Sequence, residues 1–333
     1  MQLSAIVVNY RQPELLRACL RSLDAALERV EGEAELVVVE NGSGDGSAEL
    51  VRREHPAAAL VELGENRGFG GGVNAGVERS RGEYVALVNN DATVEPDALA
   101  ELVRVACEGG RDVGSVAAQM RFADRPETIN SAGIGIDRLG IVYDRLLGAA
   151  AGSGERRPVE VFGASGGAAL WRRAALDSVG GFDGSFFVYL EDADLAWRAR
   201  MRGWRSLYAP AAVVYHHHSA TAVHASPFKY RWVGRNRVRL LARNADACML
   251  VRHAPAMVAY DLAYVAYAAG RDRTLAPVTG RLRGLREWRS ARRSGAAGRR
   301  RVELEPREGL AAALARRRAW SGASMPGSTR QRP

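Results

Sequence analysis

Short apolar runs and amphipathic stretches alternate along the N-terminal part of the chain. Leu3 to Val8, Glu35 to Val39, Ala59 to Leu63, Tyr84 to Val88 and Val113 to Ala117 are β-branched or apolar runs of strand length. Between them, Pro13 to Arg29 and Pro96 to Glu108 carry apolar residues at helical spacing. This alternation predicts an α/β fold with a mostly parallel sheet flanked by helices. Ligands of such sheets bind beyond the carboxyl ends of the strands. There the chain turns polar: Asn9 and Tyr10, Glu40 to Asp45, Asn66 to Asn74, and Asn89 to Asp91 follow the first four runs. Four polar strand ends in one sheet describe a nucleotide pocket.

Each of these loops has a physical task open to it. ENGSGDGS, residues 40 to 47, offers carboxylate and amide acceptors on a Gly-rich turn, suited to a base edge or to ribose hydroxyls. NRGFGGGVNAG, residues 66 to 76, reads either as a plain flexible loop or as backbone that a nucleotide approaches closely, with a helix N-terminus near Gly72 for phosphate. It follows the third strand, whereas a dinucleotide fingerprint follows the first. Asp91 ends a strand before Pro96 opens a helix. A carboxylate there suits a divalent cation beside a diphosphate, or an Asx-turn cap. His216, His217 and His218 follow the strand-like AAVVY, and alternation along a strand lets one or two of them face a common site.

The densest chemistry lies in GSFFVYLEDADLAWRARMRGW, residues 184 to 204. Glu191, Asp192 and Asp194 open a helix pattern directly after an aromatic run. Acids favour helix N-termini in any case, yet a carboxylate held ionised beside an apolar wall can accept a proton from a bound hydroxyl. Trp171, Trp197 and Trp204 read as core rather than as sugar-stacking surfaces.

Charge changes the picture once it is divided along the chain. The net charge is +9, but residues from Arg271 onward carry 17 Arg and 5 acids, leaving −3 for the rest. A nucleic-acid partner is therefore not expected: the basicity belongs to the tail, which mostly lacks interleaved aromatics beyond Trp288. One lysine occurs, Lys229, among 47 Lys and Arg residues. Cys19, Cys107 and Cys248 are odd in number and widely spaced, which argues against a disulfide framework or a zinc site. The N-terminal run lacks the regions of a signal peptide. The apolar stretch Ala254 to Ala269 is interrupted by Asp261 and falls short of the ~20 residues of a spanning helix. The expected location is cytoplasmic, at the inner face of the membrane if the tyrosine stripe Tyr260, Tyr264 and Tyr267 and the following arginines lie on anionic headgroups.

The segments VVNYRQPELLRACLRSL, VVVENGSGDGS, ENRGFGGGVNAG, YVALVNNDATVEPDAL, GASGGAALWRRAALDSVGGFDGSFFVYLEDADLAWRARMRGW and YAPAAVVYHHHSAT, in this order, resemble the family 2 glycosyltransferases, above all their bacterial rhamnosyltransferase-type branch. The resemblance covers about residues 3 to 245. It implies a GT-A fold, a nucleoside-diphosphate sugar donor (UDP- or dTDP-linked), Mg²⁺ or Mn²⁺ as cofactor, a glycan or lipid-linked acceptor, and transfer with inversion. Residue by residue it makes Asp192 the general base with Glu191 beside it, and Asp91 the metal-binding acid, with His216 adding to the metal site. Asn9, Glu40, Asn41, Asp45, Asn66, Gly68, Asn74 and Asn89 fall among the donor-binding positions. Asn89 stands where the family's D-x-D motif begins with Asp, and Glu40 where Asp is frequent. The Arg235-Asn236 pair belongs to the same likeness; Arg235 could approach the diphosphate or lie on a solvated helix face. A nucleotidyltransferase of similar fold shares the sheet and metal logic but does not need the acid block. The expected organisation is a catalytic domain over 1–225, a helical region over 226–292 that can touch a membrane surface, and a basic, disordered tail over 293–333.

Overall fold

The computed structural model describes residues 2–217, 226–295 and 302–305. His218 and most of the expected tail lie outside them. The elements run β1 (Leu3–Asn9), α1 (Pro13–Leu27), β2 (Ala34–Glu40), α2 (Ser47–Glu54), β3 (Ala59–Glu62), α3 (Gly68–Arg79), β4 (Tyr84–Val88), β5 (Ala92–Val94), α4 (Ala98–Glu108), β6 (Val113–Phe122), β7 (Arg125–Ser131), β8 (Ile134–Ile136), β9 (Val142–Asp144), β10 (Val159–Val161), β11 (Ala168–Arg172), α5 (Arg173–Val179), α6 (Glu191–Met201), β12 (Arg205–His216), α7 (Pro227–Asn244), α8 (Ala247–Arg271), α9 (Ala276–Arg286) and α10 (Trp288–Ser294).

The main sheet has the order β10-β12-β6-β11-β4-β1-β2-β3, with β5 on β12 and β7 on β6. The segment β4-β1-β2-β3 is parallel, as is the pair β6 and β12, while β11 enters antiparallel between β4 and β6. The strands read as unbroken apolar runs because both faces are covered. On β1, Leu3, Ala5 and Val7 pack into the core shared with α1 and α4, whereas Ile6 and Val8 face the layer of α3. Helix α1 buries Leu16, Cys19, Leu20, Leu23 and Ala26, the spacing of one helical face.

The Gly-rich stretch is not a loop. It forms α3 from Gly68 onward, and a Cβ on Gly72 would meet Val8 Cγ1 at 2.6 Å, so the missing side chains let the helix lie directly on β1. Two tyrosines of the stripe, Tyr260 and Tyr264, turn inward. Tyr260 packs under the Arg237 guanidinium, and Tyr264 contacts Tyr230 and Arg281. Asp261, which interrupts the apolar stretch, accepts from Arg237 Nε at 2.9 Å and from Arg281 at 2.7 Å, bolting α8 to α7 and α9. The outward face of α8 is aliphatic instead, with Val251, Val258 and Leu262 exposed. Among the described residues, no helix is long and apolar enough to cross a membrane.

Candidate active site

A cavity of about 340 Å³ opens beyond the carboxyl ends of β1, β2 and β4. It brings together Asn41, Asn66, Gly68, Asn89, Asp91 and His216 of the expected site. Asp91 and His216 lie far apart in sequence and meet because β12 pairs with β5, setting His216 opposite Ala92. Asp91 Oδ1 is 3.2 Å from His216 Nε2. His216 Nδ1 lies 3.0 Å from Asn130 Oδ1, a contact that orients the ring with Nε2 toward Asp91. A carboxylate and an imidazole nitrogen so placed could share a cation. Among the described residues, no cluster of three His, Cys, Asp or Glu converges. Two protein ligands nonetheless suit Mg²⁺ or Mn²⁺, because Mg²⁺ usually takes one or two carboxylates and completes its shell from phosphate and water. His217 is exposed, as strand alternation requires.

The expected donor-contact residues also make hydrogen bonds within the fold. Glu40 accepts from the Gly42 and Ser43 N–H groups at 3.1 and 2.7 Å, and so shapes its own turn. Asp45 accepts from Ser47 N and Oγ at the start of α2. Asn74 accepts from Phe182 N and donates to Phe182 O, tying α3 to the loop before the acid block. Asn9 is fully buried and accepts from Asn90 Nδ2 at 2.8 Å. Asn41 and Asn66 share a hydrogen bond of 3.2 Å, and Asn41 also holds Arg67 N and Gly68 O. The helix N-terminus expected near Gly72 lies at Gly68, and its first N–H groups are occupied: Gly68 N donates to Asn66 Oδ1 and Phe69 N to Phe187 O. Gly68 has φ +71°, and a Cβ there would stand 2.3 Å from Phe187 O, so only glycine admits this contact.

Phe187, Val188 and Tyr189 form the facing wall of the cavity. Phe187, Tyr189 and Leu190 all take positive φ, at 61°, 69° and 68°, a costly conformation for side-chain-bearing residues. Asn236 on α7 holds this segment from behind. Its Nδ2 donates to the carbonyls of Phe186, Val188 and Tyr189 at 2.8, 2.9 and 2.8 Å. Arg235 does not lie on a solvated face; it is buried, donates to Ser185 O at 2.7 Å and pairs with Glu287 at 2.6 Å. Trp232 stacks on Phe187.

The braced segment delivers Glu191 and Asp192 to the flank of the cavity rather than to its lining. Asp192 Oδ2 accepts from Gly166 N at 2.9 Å and Oδ1 from Ala193 N at 2.7 Å. Burial raises its pKa, and these N–H groups oppose the rise. Glu191 is buried, and its Oε2 meets no hydrogen-bond partner among the described residues. Burial, then the charge of Asp192, pushes it up to about 8. Burial thus raises both carboxyls, but the N–H groups on Asp192 favour its charged form, so the two environments differ. Asp194 plays a different part: it is wholly buried and binds Arg198, Arg243 and Asn244 at 2.7, 3.1 and 2.7 Å.

Three residues not singled out for the site belong to this neighbourhood. Asn90 lines the cavity and donates to Asn9 and to Arg11 O. Asp144 on β9 feels the charges of Asp192, Lys229 and His216; burial above all, and then Asp192, pushes it up to about 6 against a hydrogen bond from Ser131. Lys229 lines the cavity with Asp91. Its rarity in the sequence is the one signal that pointed to it.

Residues 4–180 match the family model of glycosyl transferase family 2. The chain belongs to glycosyl transferase family 2. It is 31% identical over 240 residues to the N-acetylglucosaminyl-diphospho-decaprenol L-rhamnosyltransferase of Mycobacterium tuberculosis, an alignment covering 65% of this chain and 76% of that one. Its fold is similar to that of a mannosyltransferase from Pyrobaculum calidifontis in complex with GDP-Man and Mn²⁺, at 22% identity and a TM-score of 0.52, covering 96% of this chain and 80% of the other. It is also similar to GalNAc-T7 with UDP, GalNAc and Mn²⁺, at 13% identity and a TM-score of 0.58, covering 89% and 55%. These likenesses identify the architecture as that of nucleotide-sugar-dependent glycosyltransferases, and this family 2 chain as a glycosyltransferase.

Proposed function

We propose that this family 2 glycosyltransferase moves a sugar from a UDP- or dTDP-linked donor to a hydroxyl of a glycan or lipid-linked acceptor by a single inverting displacement, with Asp192 as general base. The observation that carries the reading is the division of labour between two adjacent carboxyls: Asp192 is held by two N–H groups, and Glu191 is buried with an oxygen unpartnered. The acceptor hydroxyl gives its proton to Asp192 as its oxygen bonds to the anomeric carbon. On the opposite face the bond from that carbon to the diphosphate breaks, and its electron pair leaves with the diphosphate. Asp91 and His216 would hold the divalent ion, Mg²⁺ or Mn²⁺, which supplies Lewis acidity to the leaving group. Asn41, Asn66 and Asn89 shape the donor side of the cavity.

A rhamnosyl donor and a lipid-diphosphate acceptor are supported by the name of the mycobacterial relative. Work on such an acceptor in polysaccharide or cell-wall synthesis, at the cytoplasmic face of a membrane, agrees with the exposed aliphatic stripe of α8 and with the exposed Arg252, Arg271 and Arg273 beside it. The deciding experiment is a hydrolysis screen of UDP- and dTDP-sugars, with and without Mn²⁺. Slow release of one sugar, lost on Asp192→Asn, is the expected result; a chain that cleaves none of them and instead releases pyrophosphate from a nucleoside triphosphate and a sugar phosphate is a nucleotidyltransferase.

A further inference from the structure

Lys229 is the single lysine in a chain with 47 Lys and Arg residues, and it sits in the wall of the active-site cavity. Helix α7 places it there: Ser226 Oγ accepts from Lys229 N, so the side chain leaves the first turn of a capped helix. Farther along the same helix every buried cation is paired. Arg235 binds Glu287, Arg237 binds Asp261, Arg239 reaches Asp183 and Glu287, and Arg243 binds Asp183 and Asp194. Lys229 forms no ion pair among the described residues; its ammonium lies 5.4 Å from the centre of the Tyr189 ring. Burial lowers its pKa, and the charge of Asp144 offsets this in part. A cation half-removed from water, with only the Asp144 charge to offset the loss, costs free energy, so its place in the cavity wall points to an anionic ligand.

Apart from a divalent ion that Asp91 and His216 would hold, no other Lys or Arg among the described residues lines the cavity to meet such a ligand. Asp91 is negative and Asn89 neutral, and the leading N–H groups of α3, a natural phosphate seat, already serve Asn66 and Phe187. We propose that Lys229 binds the donor's diphosphate and holds the charge of the nucleoside diphosphate as it departs. As the bond from sugar carbon to diphosphate oxygen breaks, that oxygen keeps the electron pair and accepts a hydrogen bond from the ammonium, with no proton transferred. A compact ammonium with three donors fits between the aromatic walls of Phe187, Tyr189 and Phe228 where a planar guanidinium fork needs more room.

This assignment rests on the nucleotide-sugar reading of the site, and the test separates the two. Calorimetric titration of UDP and dTDP with Mn²⁺ into wild type, Lys229→Met, Lys229→Gln and Lys229→Arg is combined with ligand-detected NMR of uridine and thymidine. Lys229→Met and Lys229→Gln should lose about 10- to 100-fold in affinity for the nucleoside diphosphate that wild type prefers, the worth of a charge-assisted hydrogen bond. Binding of the bare nucleoside should change by less than about twofold, and Lys229→Arg should recover part of the loss. Lys229→Met removes a half-buried charge that has no ion pair among the described residues, so its melting temperature should not fall. If wild type binds a nucleoside diphosphate and both neutral variants bind it equally well, or lose nucleoside binding to the same degree, the assignment fails alone. A wild type that binds neither nucleoside diphosphate overturns the nucleotide-sugar reading and this assignment with it.

Discussion

Two regions of the molecule handle buried charge in opposite ways. On α7 and its neighbours, Arg235, Arg237, Arg239 and Arg243 each meet a carboxylate, and Asp194 meets two arginines and an asparagine. Around the cavity, a few residues away, Glu191 has an unpartnered oxygen, Asp144 sits among like and unlike charges, and Lys229 faces a ring. The first region uses ion pairs to fix geometry. The second leaves titratable groups without ion pairs of that kind among the described residues, at a cost in stability that a substrate can offset. The contrast separates neighbours that look alike in sequence: Asp192 and Asp194 belong to different regions.

The largest expected effect tests that separation. Asp192→Asn should keep the fold and donor binding but lower transfer by roughly 10²–10⁴-fold, because an amide cannot take the acceptor proton. Turnover measured beside donor affinity checks it, and near-normal turnover would move the base elsewhere. Asp91→Ala should abolish the divalent-dependent part of nucleotide binding in calorimetric titration, with His216→Ala weakening it less; metal-dependent affinity that survives Asp91→Ala would exclude this seat. Asp194→Asn should behave as the mirror image of Asp192→Asn. Leaving buried guanidinium groups short of a charge costs about 3–5 kcal/mol, read as a lower urea midpoint, while donor affinity of the folded fraction is kept. Glu191→Gln should show the smallest change and an opposite sign. The folded-state pKa of Glu191 stands near 8, above the ordinary value of 4.5, so folding binds a proton in that window and wild-type stability falls as pH rises through it. The variant should therefore gain a few degrees in melting temperature near pH 9 relative to wild type, and about none near pH 4.

Much of this architecture was legible. Strands buried on both faces leave contiguous apolar runs, so β1, β2, β3, β4 and β6 could be placed within a few residues. Asp91 and His216 were identified through the family likeness, and strand pairing explains why they meet. The loop acids and amides were harder. Glu40, Asp45 and Asn74 occupy strand-end and loop positions that suit a ligand, and their side chains also bind their own backbone or a neighbouring loop, contacts that a sequence does not reveal. Asp144 comes from a short hairpin in a stretch without periodicity, and it reaches the site only through tertiary packing. The tyrosine stripe had the right spacing for one helical face, but spacing alone does not say whether that face meets protein or lipid.

The contacts of Asn236 set an order in time. Ribosomes deliver the chain from its N-terminus, so the sheet and the acid block emerge before the side chain that braces Phe186, Val188 and Tyr189, which follows 50 residues after Phe186. Until α7 has docked, the segment before Glu191 has no reason to hold three left-handed residues. A nascent chain can thus hold the residues of the whole sheet while the segment that leads into Glu191 and Asp192 still waits for its brace.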